Sequence, residues 1–150
     1  MNEIHIEDIL RRAIGPGFLG VFAADELPSE FDVSNKPRCL IANTDPSSEV
    51  GSHWVAFYII PFSKRYEFFD SYAIHPLIYF PNLKNNPSMI NPLSLQRLNS
   101  SVCGQYCIYY LYLRMLGHQN LTSILRSFDH YSHPDQIVKS FVDRLISQYS

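Results

Sequence analysis

The stretch CGQYCIYYLYLRML, residues 103–116, decides the fold. It holds no proline, and its only glycine, Gly104, stands at its start, so nothing inside it breaks a helix. Cys107, Ile108, Tyr110, Leu111, Leu113 and Met115 leave almost no polar stripe, and a helix apolar on nearly every side is a buried one. Upstream, residues 53–60 and 65–69 are rich in aromatic and branched side chains and flank Pro61-Phe62-Ser63-Lys64, which predicts a β-hairpin. Residues 38–43 read as a further strand. At the start of the chain, Ile6, Ile9, Leu10 and Ala13 recur at helical spacing, and Gly15-Pro16-Gly17 stops that helix. A last amphipathic helix follows His133-Pro134-Asp135, with Ile137, Val138, Phe141, Leu145 and Ile146 on its inner face. Residues 25–36 read as loop, and residues 73–99, interrupted by Pro76, Pro81, Pro87 and Pro92, as irregular. The order predicts one α+β domain over residues 1–150.

Composition narrows the function classes. With 46% hydrophobic and 17% charged residues, including ten Tyr and ten Phe, the chain carries a real core and is not a disordered segment. Net charge is −2 and the pI is near 6.3, so no overall field draws it to nucleic acid. Arg11-Arg12 and Lys64-Arg65 read as solvated surface. No apolar run reaches the ~20 residues of a membrane helix, and the first residues carry Glu3 where a signal peptide would be apolar. Cys39, Cys103 and Cys107 are an odd, sparse set, which points to free thiols in a reducing, intracellular compartment.

Cys103 opens the central helix. There a thiol meets unpaired backbone N–H groups and the positive end of the helix dipole, both of which favour thiolate. Gly104 is expected to leave room for a substrate backbone beside the sulfur. The alternative is that Cys103 is a small buried hydrophobe. His53 starts the first hairpin strand and Asp70 ends the second, so the hairpin brings them roughly opposite each other. A histidine paired with a carboxylate keeps the tautomer that accepts a thiol proton. A polar pair that only staples the hairpin is the competing reading. Gln96, seven residues before Cys103, can aim its amide N–H at an oxyanion beside the Cys103 backbone N–H, or be an ordinary exposed glutamine.

Together these residues resemble the adenovirus protease family (adenain), in the clan of the SUMO and ubiquitin-like-protein proteases. The resemblance runs through Gly15-Pro16-Gly17-Phe18-Leu19-Gly20, Cys39-Leu40-Ile41-Ala42-Asn43-Thr44 and Gly51-Ser52-His53-Trp54-Val55-Ala56-Phe57. It continues in Pro61-Phe62-Ser63-Lys64, in Phe69-Asp70-Ser71-Tyr72, and in Gln96 with Asn99-Ser100 before Cys103-Gly104. It implies a papain-like cysteine protease fold, a small mixed sheet packed on the buried helix. His53 is then the catalytic base, Asp70 the third triad member, Gln96 the oxyanion donor and Cys103 the nucleophile, with Trp54 walling the substrate site. The implied reaction is endopeptidase cleavage near glycine in polypeptide precursors, as in maturation of viral structural proteins, within the host cell or virion. A deubiquitinating or deSUMOylating protease is the alternative, and an inactive protease-fold binding module a further one.

Two departures from the family set further expectations. The acid is Asp70 where adenovirus enzymes carry Glu, as on the SUMO-protease side of the clan. The chain is short and slightly acidic, and has no cysteine between Cys39 and Cys103, where the family's disulfide-linked activating peptide would attach. A related double-stranded DNA virus, virophage or virus-like transposon is the expected source. No cofactor is expected and DNA is not expected to be required, which leaves room for a non-covalent peptide activator. A zinc site built from Cys103, Cys107, His118 and either His130 or His133 matches structural zinc spacings poorly. Cys39 and Cys107 therefore read as core, and His5, His75, His118, His130 and His133 as surface.

Overall fold

The structure, a computed structural model, describes residues 1–48, 53–98, 100–129 and 133–149. Helix α1 (Glu3–Ile14) is capped by Asn2, whose side chain accepts the His5 N–H, and it ends at Gly15, whose φ of 78° lets the chain reverse. Strand β1 (Phe18–Phe22) follows, then β2 (Arg38–Asn43), β3 (Trp54–Ile59) and β4 (Tyr66–Phe69). A one-turn helix α2 (Pro76–Tyr79) and a two-residue strand β5 (Met89–Ile90) interrupt the segment expected to be irregular. Helices α3 (Cys103–Met115), α4 (Leu121–Arg126) and α5 (Pro134–Tyr149) complete the chain.

The five strands lie in sequence order, with β1–β2 and β4–β5 parallel and the β2–β3–β4 pairs antiparallel. This is the mixed sheet on a central helix that the sequence leads one to expect. Alternation along the strands splits the apolar side chains between the two faces. Cys39, Ile41, Ala56, Tyr58 and Phe69 face α3, α1 and α5 in the main core, while Leu40, Val55, Phe57, Ile59, Tyr66 and Phe68 meet Phe31, Phe80 and Leu83. Both faces are therefore covered, the second by loop segments and the one-turn α2. That explains strands with continuous apolar runs in a largely antiparallel sheet. Phe69 stacks on Tyr110 of α3 with ring centroids 4.8 Å apart and planes 9° apart, joining sheet to helix at the centre.

The hairpin register corrects one expectation. Ala56 pairs with Phe69 and Ile59 with Tyr66, so the continued ladder sets His53 against Tyr72, and Asp70 meets His53 diagonally. Arg11 and Arg12 are surface residues paired with Glu7 and Asp8 one turn earlier in α1.

Candidate active site

Three element ends converge. His53 immediately precedes β3, Asp70 immediately follows β4, and Cys103 is the first residue of α3. The His53 Nε2 and Asp70 Oδ1 atoms lie 2.6 Å apart. With Nε2 committed to the carboxylate, Nδ1 is the nitrogen left for Cys103, whose sulfur interacts with the imidazole. Asp70 is fully buried, and His53 and Cys103 are nearly so, at 9% and 6% exposure, which leaves the pair a narrow opening to solvent.

A buried carboxylate must have its lone pairs filled. Asp70 Oδ1 also accepts the Tyr72 N–H (3.1 Å), and Oδ2 accepts the Ile74 N–H (3.0 Å) and the Tyr79 hydroxyl (2.8 Å). The chain thus folds back on its own aspartate, as short acidic side chains do at turns. Asn91 clasps the Asp70 backbone from the other side, accepting its N–H at 3.0 Å and donating to its C=O at 2.6 Å. Tyr72 lies against the imidazole with ring centroids 4.8 Å apart.

These contacts set the charges. Burial alone would raise the Asp70 carboxyl, but His53, the Tyr72 N–H and Tyr79 hold it below the usual range. Burial pulls the His53 imidazole down, yet its hydrogen bonds to Asp70 and Cys103 and their negative charge push it up to about 9. Burial lifts the Cys103 thiol, and this is outweighed by His53 and by the backbone N–H groups of Trp54 and Gly104, so the thiol sits below its ordinary value. Each shift favours the charged form of its group, thiolate for Cys103 and imidazolium for His53.

Gln96 is buried and not an exposed loop residue. Its Oε1 accepts from Ser71 Oγ at 2.6 Å and its Nε2 donates to the Ser100 C=O at 3.0 Å, which fixes the amide on the segment leading into Cys103. Trp54 is half-buried on the main core. At Gly104 a Cβ would stand 3.1 Å from Ile6 Cδ1 and 3.5 Å from Met1 Sδ, so the missing side chain makes room for α1.

The sequence reading missed Ser71, Tyr72, Tyr79 and Asn91. Adjacency to Asp70 was a usable signal for Ser71 and Tyr72. Nothing in the sequence singles out Asn91, which arrives from 21 residues away.

Cys39 and Cys107 are core thiols. Burial pushes Cys39 up to about 12 and Cys107 well above its ordinary value, the latter with help from the neighbouring Cys103 and Asp70 charges. The zinc alternative fails on distance, since α3 puts roughly 20 Å between Cys103 at its start and His118 past its end. Gly51, Ser52, Asn99 and His130 lie outside the described residues.

No protein-family model matches the chain. In sequence it is 29% identical to the protease of ovine adenovirus D serotype 7 (isolate OAV287), over 70% of this chain and 60% of that protein. The chain thus spans about three fifths of that relative's length. Among solved structures it is similar to the crystal structure of a protease of ASFV, with a TM-score of 0.49 and 16% identity, over 82% of this chain and 60% of that one.

Proposed function

We propose that this chain, a relative of the adenovirus proteases, is a cysteine endopeptidase with Cys103 as nucleophile. One observation carries the reading: His53 stands between a buried, fully hydrogen-bonded Asp70 and the thiol that opens α3. The Cys103 thiolate attacks a peptide carbonyl carbon and its electrons move to the oxygen. That oxyanion is met by the Cys103 backbone N–H, free because it lies in the first turn of the helix, and by the second amide N–H of Gln96. Collapse expels the amine, which takes the imidazolium proton of His53. Water, with His53 now acting as base, then releases the acyl enzyme.

The substrate class rests on the family likeness: polypeptide precursors cut near glycine, in maturation of viral structural proteins, with the enzyme working in a reducing compartment. Among the described residues no helix is long and apolar enough to cross a membrane.

The test incubates purified protein with glycine-containing peptides and with a ubiquitin-like protein fused to a reporter. Internal cleavage of the peptides, absent in Cys103→Ala, is the expected result. Exclusive cleavage of the fusion would move the reading to deconjugation. No cleavage of either, together with no covalent adduct from a peptide aldehyde, would refute it.

A further inference from the structure

We propose that Ser71 is a positioning residue for the oxyanion site, the side chain that keeps the Gln96 amide buried and ties it to the catalytic acid; the inference rests on Gln96 serving as the oxyanion donor. Gln96 sits in a segment with no regular structure, so neither strand nor helix fixes its direction. Among the described residues, its hydrogen bonds on the sheet side all go to Ser71. The Ser71 C=O accepts the backbone N–H groups of Leu95 (2.8 Å) and Gln96 (3.1 Å), and the Ser71 hydroxyl donates to Gln96 Oε1. Ser71 and Gln96 are both buried, at 1% and 5% exposure, so Oε1 has no water to turn to if the hydroxyl is removed.

The two ends of the amide are held by different chemistry. The Ser100 carbonyl accepts only, so it selects the NH2 end and takes one of its two N–H groups. The Ser71 hydroxyl satisfies the oxygen end. With both in place the direction of the remaining N–H is fixed. Without Ser71, a buried carbonyl oxygen is left unpaired, and the side chain gains by swinging out to water or by turning over, which presents an oxygen where an oxyanion must form.

Ser71 is also covalently next to Asp70, and its other neighbour, Tyr72, lies against the imidazole. One tripeptide after β4 therefore sets the acid, the oxyanion arm and one face of the base. Asp70 and Tyr72 turn toward His53, and Ser71, between them, turns toward Gln96.

The experiment is a double-mutant cycle of Ser71→Ala and Gln96→Ala on a cleavable peptide, with the pH dependence of Cys103 alkylation by iodoacetamide measured alongside. Ser71→Ala is expected to lower kcat about tenfold or more with KM unchanged. Its alkylation should stay confined to Cys103 with a wild-type pH profile, because the charge pair is untouched. In the Gln96→Ala background, Ser71→Ala should cost nothing further. Ser71→Cys, a much weaker donor of similar size, reads the same way should the alanine variant not fold. If Gln96→Ala leaves kcat unchanged, the oxyanion reading itself falls. If Gln96→Ala lowers kcat while the Ser71 variants match wild type, or the two losses multiply in the double mutant, the role of Ser71 alone is overturned.

Discussion

Replacing Asp70 with Asn tests whether the carboxylate acts on His53 through its charge. Four donors reach this side chain: His53 and the Tyr72 N–H at Oδ1, and the Ile74 N–H and Tyr79 hydroxyl at Oδ2. An amide has one oxygen, so whichever way it turns, its NH2 faces a backbone N–H. Oxygen toward His53 keeps the Nε2–H donor paired and lets the Tyr79 hydroxyl rotate to accept, whereas the reverse would require Nε2 to accept and the histidine to change tautomer. The histidine then keeps its tautomer, one backbone N–H is left unpaired at about 1–3 kcal/mol, and the negative charge is gone. His53 is raised from 6.5 to about 9, with burial opposing the rise and Asp70 the leading cause of it. A raised histidine stabilises the fold fully below pH 6.5, and that contribution fades as pH climbs through about 9. At ~1.4 kcal/mol per unit the shift is on the order of 3 kcal/mol. Removing the charge weakens the imidazolium that holds the thiolate, so alkylation near pH 7 should slow about tenfold and recover only as the thiol itself ionises at alkaline pH. The assay is the iodoacetamide rate from pH 4 to 10 with peptide mapping, which needs no substrate. An unchanged alkylation rate near pH 7 in a folded variant would refute the electrostatic role of Asp70.

Iodoacetamide on the native protein should modify Cys103 alone, since burial holds the thiols of Cys39 and Cys107 up; adducts on Cys107 first would overturn the nucleophile. Gln96→Ala should lower kcat roughly 10²-fold at constant KM, whereas a rise in KM alone would make it a substrate contact. Asn91→Ala leaves the buried Asp70 N–H unpaired and should cost roughly 2–3 kcal/mol, read as a Tm lower by roughly 5–10 °C with a matching loss of activity. Cleavage should be indifferent to added DNA across a salt series, because net charge is −2; stimulation that fades with salt would reveal a basic face.

The elements legible in the sequence were those whose signal is local. Residues 103–116 announce a buried helix by composition alone, and the 53–69 hairpin by its turn. Strands β1 and β5 and helix α4 went unread because each is short and takes its form from neighbours: Met89-Ile90 is a strand only because β4 offers it an edge. The site follows the same division. Cys103, His53 and Asp70 are reactive residue types at element ends and draw attention to themselves. Asn91 and Tyr79 are ordinary residues in a proline-broken stretch, and their importance lies in which buried atom they reach. The packing of Gly104 against Ile6 of α1 was not legible, because it depends on a helix nearly a hundred residues away.

Cys103 and His53 ride on different layers, one on the helix and the other on the sheet, and the spacer between those layers is ordinary core: Phe69 against Tyr110, with Ala56 and Cys107 in the same cluster. Hydrolysis should therefore behave as a gauge of core thickness. Enlarging Ala56 or trimming Tyr110 alters the sulfur-to-imidazole separation with no change to Cys103 or His53, so cleavage rate should fall by more than the loss of stability alone accounts for.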